Sequence, residues 1–154
     1  MTTVRIRVIV LVFLALSSLA ALARPLARND ENLSQLIARA ESAPPGERPG
    51  LYIQIARQQA EAADKLYREG NAEAGSQALN DTVTYAEKAR DAAASTGKRL
   101  KDTEIALRKM AEKFRDVKHN LPFDDQAPVQ QAIDRLEKMR TDLLSAMFGK
   151  KEKK

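Results

Sequence analysis

At 154 residues the chain is long enough for one domain, and 44% hydrophobic with 31% charged residues is ordinary for a globular or coiled-coil protein. It has no cysteine and a single histidine, which excludes a disulfide framework, a thiolate zinc site and a cysteine nucleophile. Aromatic residues make up 5% and tryptophan is missing, so the core must be built from Ala, Leu, Ile, Val and Met, as in closely packed helices.

Residues 1–23 read as a secretory signal peptide. Arg5 and Arg7 form a positive leading region, Val8 to Ala20 is an apolar run, and Ala21-Leu22-Ala23 is a small-x-small cleavage site before Arg24. The run is shorter than the roughly 20 residues of a spanning helix. The expected destination is therefore the periplasm or the extracellular space. Without Arg5 and Arg7 the formal net charge falls from +5 to +3, and the tail Lys150-Lys151-Glu152-Lys153-Lys154 alone carries +3. The remaining body is close to neutral.

Residues 24–50 read as a leader, a short helix over about 31–42 capped by Asn29 or Asp30, and a linker, Ala43 to Gly50, with three prolines and two glycines. The short helix offers Leu33, Leu36, Ile37 and Ala40 as a docking face. A helix over about 51–69 follows, with Tyr52, Ile55, Ala56, Gln59, Ala63 and Leu66 at helical spacing. Gly70-Asn71 then turns the chain back on itself, which predicts an antiparallel hairpin. The hairpin is similar to a single tetratricopeptide unit in its small residues Ala63, Gly70 and Gly75. It departs from that motif at Tyr67, which falls three residues before Gly70 instead of four, and in lacking the closing proline, and no second copy follows.

From Asn71 to Leu121 one apolar seam alternates four and three residues apart: Gly75, Leu79, Thr82, Ala86, Ala89, Ala93, Thr96, Leu100, Thr103, Leu107, Met110, Phe114, Val117 and Leu121. At Gly97 a helix either ends, folding the chain into an up-down bundle, or continues at a cost of about 1 kcal/mol. The unbroken phase of Ala93, Thr96 and Leu100 favours one long helix over about 72–119, continuous or bent at Gly97. Pro122 breaks it, and a last helix over about 128–148 carries Val129, Ala132, Leu136, Met139, Leu143 and Ala146, to lie antiparallel along Leu100 to Val117. The fold class is all-α: antiparallel hairpins forming one bundle domain over residues 51–148, followed by a basic tail over 149–154. The seam is thin before Gly97, where Ala, Gly and Thr dominate, so that half needs the Leu33 to Ala40 face or a partner chain as cover.

Candidate chemistry is sparse. Asp116 and His119 stand at the spacing of half a carboxylate-bridged metal site, but a di-metal bundle needs a second histidine. Asp124-Asp125 suits capping and dipole compensation at a helix start better than acid/base work, because no apolar pocket converges there. Tyr52, Tyr67 and Tyr85 read as edge-of-core residues, and Gln59 as a polar register residue. No phosphate loop, nucleophile elbow or paired-histidine zinc helix occurs. No catalytic, cofactor or metal residue and no small-molecule substrate is therefore expected. Lys150, Lys151, Lys153 and Lys154 are the one candidate binding group. At about 1 kcal/mol each near an anionic surface they assist a weak membrane or polymer contact, and with no aromatic or arginine-rich groove they do not read as a nucleic-acid site. The expected function is an exported, non-enzymatic helical module that binds a protein partner or itself. The alternatives are attachment to the envelope surface through the tail, and a chaperone-like role.

Overall fold

The computed structural model describes residues 24–149, with side chains from Asn32 onward. The expected signal segment and the lysine tail lie outside the described residues. Within them the regular structure is helical throughout: α1 (Arg24–Ser42), α2 (Arg48–Arg68), α3 (Ala72–Thr96), α4 (Leu100–His119) and α5 (Gln126–Phe148), with one 3₁₀ turn at Phe123–Asp125 before α5. The chain divides into two compact units, Met1–Gln35 and Leu36–Lys154. The following description concerns the second, apart from the start of α1.

Helical structure sets in earlier at two places than the composition predicts. α1 is already helical at Arg24, well before residue 31, and runs through Asn29 and Asp30, so neither caps it. α2 begins at Arg48, not near Leu51, with Pro49 in its first turn and buried. The Pro44 carbonyl accepts from the amides of Glu47 and Arg48, and the Glu47 carbonyl from those of Gly50 and Leu51. Only Ala43 to Glu47 is left as the linker.

The single long helix is not formed. Gly97 has φ +67° and caps α3 in the left-handed region, and Arg99, at φ +58°, is the only non-glycine residue with positive φ among the described residues. Two left-handed residues within three positions turn the backbone away from a helical path. The unbroken phase across Thr96 and Leu100 belongs to two helices, each keeping its own seam toward the core. Every seam residue from Gly75 to Leu121 is buried or half-buried. Gly97→Ala should lower stability by about 1–2 kcal/mol, because nothing surrounds the position and the whole cost is the left-handed backbone. Denaturant titration checks this: the midpoint should fall with an unchanged slope.

The result is two antiparallel hairpins, α2–α3 and α4–α5, lying side by side. Contacts fix their directions. Gly50 faces Arg99 near the start of α2 and α4, and further along the same two helices Lys113 Nζ lies 2.6 Å from Glu61 and 3.7 Å from Asp64. α2 and α4 therefore run parallel as neighbours. α3 and α5 do likewise, joined by Arg135–Glu87 at 2.6 Å and Arg90–Asp142 at 3.3 Å. Within the second hairpin Arg140 reaches Glu104 and Lys118 reaches Gln130, the antiparallel register expected of α4 and α5. The link over residues 97–99 crosses the bundle diagonally.

The thin half is covered in a way the seam alone did not reveal. Ala86, Ala89 and Ala93 of α3 are completely buried, as are Ala56 and Ala63 of α2. Small residues on both helices allow a close approach, and α5 lies along the other side of α3. The C-terminal part of α1 adds Ala40, completely buried, with Leu36 and Ile37 half-buried. Gly75 stands where a Cβ would come within 3.1 Å of the Tyr67 ring, so its absent side chain is the space that ring occupies. In the stronger half the buried bulk is Leu107, Phe114, Val129, Leu136 and Leu143. Ala146, expected on the inner face of α5, is exposed, and Ile133 is buried instead.

Candidate functional site

The residues singled out in the sequence do not converge. His119 and Asp116 are both exposed at the end of α4, and Asn120 Nδ2 donates to the Asp116 carbonyl, closing that helix. No cluster of three metal-ligating side chains occurs among the described residues. Asp124 and Asp125 occupy the 3₁₀ turn, and Asp125 makes no side-chain capping bond to α5, so its contribution there is charge placement and not a hydrogen bond. Gln59 is half-buried. Lys150, Lys151, Lys153 and Lys154 lie outside the described residues.

One cluster does form, where α1 meets α2 and α3. The rings of Tyr52 and Tyr85 stand 6.3 Å apart, and Lys88 Nζ lies 5.5 Å and 5.2 Å from their centroids, over both faces. The same ammonium group donates to Glu41 at 3.0 Å. That hydrogen bond and its charge hold the Glu41 carboxyl below its usual range, and they raise the Lys88 ammonium. Burial, with the Glu41 charge beside it, pushes the Tyr52 hydroxyl up. An aromatic, cationic and anionic group are all consumed in clamping one helix to two others. The cluster positions α1.

Tyr67 was expected at the edge of the core and is inside it, 6% exposed. Ser76 approaches its hydroxyl, but without hydrogen-bonding geometry, and the group has no partner. Burial pushes its pKa above the ordinary 10.0. It borders a cavity of about 480 Å³ together with Asp64 and Lys113. Asp64 is already engaged there, accepting from Arg68 Nε at 2.9 Å and from Nη2 at 2.6 Å.

A second ionic group ties α4 to α5. Glu104, 9% exposed, accepts from Arg140 Nε at 2.6 Å, while Glu137 accepts from Arg115 at 2.6 Å and from Arg140 at 3.3 Å. Desolvation pushes the Glu137 carboxyl up, but the two arginine hydrogen bonds outweigh it and leave the pKa lowered from 4.5. A carboxyl with a lowered folded-state pKa contributes stability that is complete above its unfolded value and is lost as pH falls through the folded one. Glu137 and Glu41 both act in this sense, so the melting temperature should drop as pH is lowered below about 4.5. At the other extreme Lys88, Tyr52 and Tyr67, all raised, stabilise the fold below about pH 10 and cease to as pH rises through their folded values. Melting curves across both limits check the two directions, and Arg115→Gln should shrink the acid limb alone.

Sequence reasoning also passed over two aromatic residues. Of the three phenylalanines among the described residues only Phe114 lies in the core; Phe123 is 87% and Phe148 64% exposed. They stand at the two ends of α5, Phe123 on the turn after Pro122. No protein family, no curated protein and no solved structure matched the chain. No helix of the described residues is long and apolar enough to cross a membrane.

Proposed function

We propose that the protein is an exported, non-enzymatic helical module that binds another protein or a second copy of itself. The observation that carries this reading is Phe123. A chain poor in aromatics places a phenylalanine in water on the 3₁₀ turn between α4 and α5. Exposed aromatics seated on a partner dominate the energetics of protein interfaces. Phe148 adds a second such group at the far end of α5. The signal-like residues 1–23 support export.

Analytical ultracentrifugation at several concentrations, together with retention of proteins from envelope extracts, tests the proposal. Wild-type protein should self-associate or retain a partner, and Phe123→Ser should abolish this without changing the melting temperature. A strict monomer that retains nothing, or association indifferent to Phe123 and Phe148, removes the basis of the reading.

A further inference from the structure

The part of α1 that belongs to the bundle is its last two turns. The division between the two compact units falls inside this helix, between Gln35 and Leu36. Beyond it Ala40 is completely buried, Leu36 and Ile37 are half-buried, and Glu41 accepts from Lys88 at 3.0 Å. From the start of α2, Arg48 Nε donates to the Ala43 carbonyl at 2.9 Å and Nη2 to that of Glu41 at 3.4 Å, closing the helix end. The docked face is short, and its ion pair stands about half open to water, Lys88 at 44% and Glu41 at 51% exposure. Such a contact opens at a lower free energy than the core beneath it.

The linker decides where a released α1 goes. It runs from Ala43 to Glu47 and holds Pro44 and Pro45 side by side. Each proline bars the residue before it from helical dihedrals, so α1 and α2 cannot merge into one rod. The closed form bends this stretch into a turn, the Pro44 carbonyl accepting from the amides of Glu47 and Arg48. Opened, a proline pair prefers the extended polyproline conformation, and at about 3.1 Å per residue the linker carries α1 about 15 Å from its own bundle. Short, stiff hinges invite docking on a neighbouring copy in place of return to the same one.

We propose that α1 is exchanged between two copies of the chain, each laying its turns from Leu36 to Ser42 on the α2–α3 hairpin of the other. The complementarity is already on display: Ala40 is enclosed, and Glu41 pairs with a Lys88 that stands over Tyr52 and Tyr85. None of these contacts depends on which chain supplies α1. Exchange by itself yields no net affinity, because exchanged and closed copies share them all. The surplus is the contact made by Phe123 and Phe148 in the function proposed above, on which this inference rests.

The test uses two full-length variants, Glu41→Lys and Lys88→Glu, one of them isotopically labelled, unfolded together, refolded and counted by native mass spectrometry. Within either variant the clamp sets like charges against each other. In an exchanged pair of one with the other, both clamps regain opposite charges. The mixed dimer should therefore exceed the two unmixed dimers together by about tenfold, from two restored pairs at a few-fold each. A chain carrying both substitutions has its clamp restored within itself and should dimerise as the wild type does, which separates exchange from damage to the fold. Mixed dimers no more abundant than the unmixed ones overturn the exchange, and association still lost on Phe123→Ser then leaves the proposed function standing without it. A wild type that is monomeric at every concentration overturns the exchange as well, whichever other protein it retains.

Discussion

Phe114→Ala should be among the most damaging single substitutions in the second hairpin, costing about 3–5 kcal/mol. Phe114 is the largest completely buried side chain of the described residues and sits on the α4 seam where α5 runs antiparallel to it. Truncation to alanine removes a ring from a wall of branched side chains that cannot collapse to fill the space. A domain of this size should lose roughly 10–20 °C in melting temperature. Thermal unfolding followed by circular dichroism reads this directly. A loss of only a few degrees would mean that α4 and α5 pack more loosely than Phe114, Leu136 and Leu143 imply.

In the first hairpin the opposite change should do the harm. Ala89→Leu should cost about 1–3 kcal/mol by overpacking, although it adds apolar surface at a position that sequence alone reads as underfilled. Ala89 is completely buried, and so are Ala86 and Ala93 on the same face of α3 and Ala56 and Ala63 on α2. Helices meeting through such residues leave no room for a branched side chain. Denaturant titration of Ala89→Leu beside Phe114→Ala would separate the two kinds of core. A stabilised Ala89→Leu would show that the alanine seam is short of cover.

These two residues also mark how far the sequence could be read. Phe114 and its seam neighbours follow from periodicity, because spacing on a helix is local and survives any arrangement of the helices. The cover over Ala89 does not follow, because it depends on which helix lies beside α3, and that is decided by the left-handed pair Gly97 and Arg99. A glycine announces a possible turn, whereas an arginine with positive φ leaves no mark in composition. Pro49 misled in the other direction: it reads as part of a helix-breaking linker, yet it stands in a first turn where a missing amide costs nothing. A cavity of about 510 Å³ bordered by arginines was illegible for a third reason. Arg39, Arg57 and Arg99 come from three segments, and nothing in their spacing shows that they border one cavity.

The diagonal link at residues 97–99 has a bearing on how the chain reaches its fold. Each hairpin closes between helices adjacent in sequence, so its loop-closure entropy is small and its pairing does not wait for distant segments. The late event is the side-by-side meeting of α2 with α4 and of α3 with α5. Amide exchange should accordingly resolve two cooperative blocks, residues 48–96 opening at a lower free energy than residues 100–148, with the alanine-lined block relying on its neighbour to remain closed.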